Sequence, residues 1–294
     1  MIPLDSAPIG HFKGWMSAAA QFQPLLYVAS PYVGVYVFSY PAGLLEGQLS
    51  GFEDAQPPCT DAAGHVFVPD AAHNMIFEYA HGNAVPIQTI PGEQHGTPVG
   101  CTVNSATGDL VVVSNGDVLI YSPIRDGRAP SWGLPKILHD ANIVQLSSCT
   151  SNAAGDTFIS GQTGVLSWAL AELPEHQQSF TEISVPPQIQ QYRDIRWDGK
   201  HIAVVSDSNN VYRLSIMEGR ATISGVTRLQ GAYGISGISF FPDVGPKLPS
   251  RIIVPDFEGN NVGYWAYPNG GQPQKIILDI PGAGGTTVSQ PVSQ

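Results

Sequence analysis

Along the chain, turns rich in Asp, Asn, Ala and Gly lead again and again into short apolar, β-branched runs. Asp61–Asp70 (DAAGHVFVPD), Asn104–Ser114 (NSATGDLVVVS), Asn152–Gly161 (NAAGDTFISG) and Asp198–Ser206 (DGKHIAVVS) are four copies of one such pattern. Short apolar runs bounded by turn residues read as β-strands. Just upstream of three copies stand Cys59-Thr60, Cys101-Thr102 and Cys149-Thr150, and Ile195 and Ile238 take that place in the next two units. Downstream comes a third run ending in an aromatic or apolar residue: Val33–Tyr40, Met75–Tyr79, Asp117–Tyr121, Val165–Trp168, Asn210–Leu214 and Asn261–Tyr267. A fourth short run closes each unit, as at Ile87–Ile90, Ile137–Leu138, Phe180–Val185, Val226–Leu229 and Lys275–Ile280. Four strands returning every ~40–50 residues are the pattern of a propeller blade.

Six units fit the chain. The first begins at Leu25–Ala29 (LLYVA), which matches a second strand and has no first strand before it. Gly284–Val292 (GGTTVSQPV) follows the last fourth strand, where another innermost strand is due. Pairing tail to head closes the ring and removes exposed sheet edges. The expected fold is therefore all-β, a six-bladed propeller of four-stranded blades. Residues 1–24 read as an N-terminal extension and residues 25–294 as one domain.

Composition agrees with one compact β domain. Hydrophobic residues make up 43% and charged residues only 13% of the 294, the opposite of a disordered chain. The net charge is −11, and Lys13 is the sole Lys or Arg ahead of Arg125. An acidic surface repels phosphate backbones, so nucleic acid is not an expected partner. No apolar run is long enough for a membrane span. Met1–Gln23 does not read as a signal peptide.

The units resemble NHL-type propeller repeats, through PVGCTVNSATGDLVVVS, DAAGHVFVPDAAHNMIFEYAHG, RWDGKHIAVVSD and NNVGYWAYPNGGQPQKII. The likeness is to bacterial propellers of the lipoprotein or extracellular kind and covers Leu25 to Val292. It implies the ring fold and an extracellular or periplasmic location.

Three cysteines cannot all pair with one another, so no disulfide framework is expected. Aligned on innermost strands, they either line the axis, where thiolates would take a soft metal, or pack as small apolar residues between blades. The recurrence favours packing, and no metal site is expected. Asp70, Asp207 and Asp256, followed by Asn74, Asn210 and Asn261, stand in the turns after the second strands. Converging carboxylates suit a hard cation, but Asp and Asn also build turns by bonding backbone, and recurrence from blade to blade favours that role.

The blade-to-blade loops vary in sequence, as binding loops do. They carry Glu53, Asp54, Glu93, His95, His139, Asp140, Tyr192, Arg193, Asp194 and Tyr233. Among them, His95, Glu93, Asp140 and Asp194 are the candidates for acid–base or metal chemistry. Glu53, His139, Tyr192, Arg193 and Tyr233 are the candidates for ligand contact. Trp132, Trp168, Trp197 and Trp265 are expected to pack in the core or at blade edges. No G-x-S-x-G, H-E-x-x-H or G-x-x-x-x-G-K-[ST] motif occurs. The leading expectation is a monomeric, non-catalytic scaffold that offers its loops to a protein, a glycan or a small molecule and needs no cofactor. The rival is a metal-dependent hydrolase or lyase with a divalent cation on the axis.

Overall fold

A computed structural model describes residues 14–92, 96–124, 131–206, 209–241 and 249–291. Six antiparallel sheets surround one axis, and in blades two to six the strands run from innermost to outermost in chain order. Blade two is Cys59–Thr60, Val66–Asp70, Met75–Tyr79 and Gln88–Pro91; blade three is Pro98–Val103, Leu110–Ser114, Asp117–Tyr121 and Lys136–His139. Blades four, five and six begin at Ile143–Ser151, Ile195–Trp197 and Ser239–Phe240. Blade three also carries a small hairpin, Pro123–Ile124 with Ser131–Trp132.

Blade one is built from both ends of the chain. Gly285–Ser289 pairs antiparallel with Leu25–Ser30, from Ala29 opposite Gly285 to Leu25 opposite Ser289. The tail therefore supplies the strand that the head lacks, as expected. Ahead of Leu25, Trp15–Met16 pairs with Leu45–Leu49 and makes a fifth, outer strand.

The repeated turns explain why the sequence pattern recurs. Asp61 Oδ1 accepts the N–H groups of Ala63 and His65, and Asn152 Oδ1 accepts those of Ala154 and Asp156. Asn104 and Asp198 hold their turns the same way. Each turn also needs a left-handed residue, supplied by Gly64, Gly108, Gly155 and Gly199. The β-branched run that follows is buried on both faces because blades pack on either side of it.

Six apolar clusters result, one per blade interface. Between blades two and three lie Phe67, Ile76, Leu110, Val112, Leu119 and Tyr121; between six and one lie Leu26, Val28, Ile253, Tyr264 and Val288. Cross-blade hydrogen bonds reinforce the inner ring. Ser239 Oγ and Thr286 Oγ1 are 2.7 Å apart, Trp197 N–H donates to Thr150 Oγ1 at 2.9 Å, and Ser289 Oγ donates to the Gly64 carbonyl at 2.6 Å.

Three expectations need correction. Cys59 and Cys101 form a disulfide that ties the innermost strands of blades two and three, so two of the three cysteines do pair. Residues 42 apart in sequence meet because adjacent blades set equivalent strand positions side by side. Cys149 is free and fully buried, and burial pushes its thiol up to about 12. The third strand of blade four is Trp168–Leu173, not Val165–Trp168. Val165 and Leu166 sit 84% and 80% exposed in the turn, with Leu166 at φ 60°. In blades five and six, Asn209 and Asn260, not Asn210 and Asn261, are the left-handed equivalents of Asn74.

Deleting the tail after Ala283 should expose the inner edge of Leu25–Ser30 and uncover its apolar neighbours. The expected outcome is loss of the cooperative unfolding transition or self-association, read by circular dichroism and light scattering. A shortened chain that stays monomeric with an unchanged transition would contradict the closure.

Candidate functional site

Antiparallel blades give the ring two unlike faces. Blade-to-blade loops and the turns after second strands form one, here the upper face; turns after first and third strands form the lower.

On the upper face, buried carboxylates hold the loops. Asp70, fully buried, accepts N–H groups from Glu53, Asp54 and Ala72, and its Oδ2 lies 2.7 Å from His73 Nδ1. Asp256 accepts N–H groups from Tyr233 and Gly234 of the preceding connection and from Gly259 of its own turn. Both side chains act as staples between a turn and the loop beside it, as the turn reading anticipates. Ser206 ends the second strand of blade five, the place that Asp70 and Asp256 hold in theirs. Asp207, Glu93 and His95 lie outside the described residues.

The remaining loop candidates are spread over different tasks. Asp194 is buried where three blades meet: Ser148 Oγ and the Ile238 N–H donate to it, and Arg196 Nη1 lies 3.3 Å away. Asp140 Oδ1 caps its loop through the Asn142 and Ile143 N–H groups. His139 lies on the outer strand of blade three, with Nδ1 2.7 Å from the Gly116 carbonyl. Tyr192 is core, packed edge-on against Trp168. Glu53 is largely exposed, 3.8 Å from His73. Arg193 and Tyr233 are brought together with Glu258 around an upper-face cavity of about 210 Å³.

Over the axis, the loops frame a mouth of about 360 Å³ lined by Pro31, Ala55, Pro57, Val99 and Phe257, with Asp54 and Gln56 among its polar groups. Burial, and then the charge on Asp70, raise the Asp54 carboxyl above its ordinary value. Beside this mouth Tyr32 is 70% exposed and meets Phe257 at 6.1 Å between centroids, and over the Arg193–Glu258 cavity Tyr233 is 82% exposed. The Asp256 staple fixes the backbone of Tyr233, and the Phe257 N–H donates to the Gly234 carbonyl. Deeper along the axis, a narrow channel is lined by Thr60, Thr102, Arg196, Thr287 and the Cys59–Cys101 pair.

The lower face holds a cluster that sequence reading missed. His65 Nδ1 lies 3.0 Å from Glu78 Oε1 and 3.3 Å from Asp61 Oδ2. Trp132 Nε1 donates to Glu78 Oε2 at 2.9 Å, across the interface of blades two and three. Hydrogen bonds to Asp61 and then to Glu78 outweigh burial and raise the imidazole to about 10. The signal available beforehand was Glu78 itself, an acid inside the otherwise apolar run MIFEY. Beside the cluster opens a cavity of about 720 Å³. Among the described residues, no group of three or more His, Cys, Asp or Glu is placed to hold a metal ion. Nor is any helix there long and apolar enough to cross a membrane.

No family profile matches the chain, and no curated protein matches it by sequence. Solved structures match it by shape. A propeller in a nidogen/laminin complex superposes with a TM-score of 0.71 at 11% identity, covering 91% of this chain and 99% of that one. A protein from Lactobacillus plantarum gives 0.59 at 13% identity, with the same coverage of each chain. A streptogramin B lyase gives 0.51 at 13% identity, over 77% of this chain and 69% of the other. At these identities the likeness establishes the fold: this chain is a six-bladed β-propeller.

Two measurements test the site's electrostatics. Folding raises the His65 pKa from 6.5 to about 10. The stabilisation from its carboxylate partners is therefore complete below pH ~6.5 and is lost as pH rises through about 10. The His65 Cε1–H resonance should show no titration between pH 6 and 8, and an ordinary midpoint near 6.5 would refute the ion-paired cluster. Asp70→Ala strips three backbone donors of their acceptor and should cost on the order of 3 kcal/mol in denaturant unfolding. A loss below ~0.5 kcal/mol would mean that the staple contributes no more than an ordinary surface contact.

Proposed function

We propose that this propeller is a non-catalytic scaffold that docks a protein partner on its upper face. The observation that carries this reading is the display of three aromatic rings on the upper face: Tyr32 and Phe257 beside the axial mouth and Tyr233 over the neighbouring cavity, with Tyr233 held by the buried Asp256 and the Tyr32 N–H by Ser30 Oγ. Rigid aromatic side chains lose little conformational freedom on binding and dominate interface energetics. On this face Glu53, Asp54 and Glu258 outnumber Arg193, so the partner segment would be basic. The nidogen/laminin complex contains a propeller of the same shape, which supports the capacity of such a ring to carry an interface and nothing about this partner's identity.

The hydrolase or lyase alternative has less support. Asp194 and Asp140 spend their carboxylates on backbone and hydroxyl donors within the fold. They belong to different connections, at 139–147 and 188–194. A disulfide between innermost strands suits an oxidising compartment, which supports the extracellular or periplasmic location; the NHL-like reading rests on the repeat motifs of the sequence. The scaffold is proposed as a monomer.

Panning a displayed random-peptide library against the purified protein tests the docking face. Enriched peptides should be rich in Lys and Arg. Their affinity should fall at least about tenfold, ~1.4 kcal/mol, on the Tyr32→Ala/Tyr233→Ala double variant. Both rings are exposed, so the unfolding midpoint should not move. Failure to enrich any peptide, or equal binding by wild type and double variant, would sink the proposal.

A further inference from the structure

We infer that the lower-face cavity between blades two and three is a second binding site, for an uncharged, ring-bearing small molecule with a carbonyl or hydroxyl acceptor. This site is separate from the upper docking face and stands on different residues.

Its volume, about 720 Å³, is twice that of the axial mouth and falls in the range of small-molecule sites. Alanines create the room: Ala62 and Ala63 in the Asp61 turn of blade two, and Ala106 in the Asn104 turn of blade three. Across from them, the hairpin brings Ile124 and Trp132. Trp132 is fixed twice, by its hydrogen bond to Glu78 and by an edge-on contact with Phe67 at 5.5 Å. Such a held indole offers a flat, pre-set surface to a ring.

The polar groups decide the ligand's charge. Glu78 is 1% exposed, and its oxygens are taken by His65 and Trp132. Asp61 Oδ1 is taken by two backbone N–H groups, and its Oδ2 faces His65. Neither carboxylate is thus an open acceptor for a ligand cation. His65 is held protonated by these neighbours, and its Nδ1 is used by them. The donor left for a ligand is Nε2–H. Two carboxylates against one imidazolium leave the cluster one unit negative, which opposes an anion. A neutral acceptor suits the Nε2–H donor without that penalty.

Three probes of similar shape and different charge test this: benzamide, benzoate and benzylamine. The readout is the Trp132 indole Nε1–H resonance in ¹H–¹⁵N spectra, identified by its loss in Trp132→Phe. Benzamide should shift this resonance saturably and leave the other four of the chain's five tryptophans in place. Benzoate and benzylamine should bind at least several-fold more weakly. His65→Gln should weaken benzamide several-fold, and Ala106→Leu, which fills the cavity from an exposed turn, should abolish binding without lowering the unfolding midpoint. No saturable shift at Trp132 with any probe would overturn the site. Tighter binding of benzoate or benzylamine, or benzamide affinity unchanged in His65→Gln, would overturn the assigned chemistry. If His65→Gln does not fold, Ala106→Leu still decides whether this cavity is the place of binding.

Discussion

One antiparallel ladder, between Leu25–Ser30 and Gly285–Ser289, sets the position of every blade. A propeller blade covers its neighbours on both flanks, so an open array would leave two apolar sheet faces in water. Joining the two chain ends within one sheet lets all six interfaces bury their clusters together. The tail is lashed to its neighbours as well as to blade one. His81 Nδ1 meets Ser289 Oγ at 2.7 Å while its Nε2 meets the Gln23 carbonyl at 3.1 Å, and Thr60 and Thr287 hydroxyls lie 3.3 Å apart. The Cys59–Cys101 bond adds a covalent tie between the next two innermost strands.

Within that ring, most buried polar side chains are spent on architecture. Asp70 and Asp256 hold loops, Asp194 joins three blades, and Asp198 both shapes its turn and accepts the Tyr267 hydroxyl at 2.6 Å. A carboxylate saturated by N–H and O–H donors inside a low-dielectric core is a poor base or metal ligand, because releasing it would leave those donors unpaired. The groups left to meet a partner are then those on the surface of the staples: aromatic rings above, and the imidazolium edge with its indole wall below.

The two faces differ because the strands alternate direction. Upper turns follow second strands and abut the long inter-blade loops, which gives large, shaped projections such as Tyr32 and Tyr233. Lower turns after first strands are the short Asx turns of the repeat, and their Ala-rich sequence leaves a recess where blade three adds a hairpin beside it. Identical repeat physics thus yields a protruding face and a hollow one.

The repeating unit, the number of its copies and the closure of the ring were all legible in the residue pattern. The Asx–Ala–Gly turn and the β-branched run depend on contacts within about ten residues, and the missing first strand of blade one shows in the pattern. Local pattern misplaced the third strand of blade four, because Val165 and Leu166 are apolar yet stand in a turn whose register is set by Gln162 pairing with Trp168. Cross-blade chemistry belonged to the tertiary structure alone. Cys59 meets Cys101, His65 and Glu78 meet Trp132, and Asp194 meets Ser148 and Ile238 only when equivalent positions of neighbouring blades are brought side by side. That juxtaposition is fixed by the ring's curvature and stagger, which no single repeat encodes.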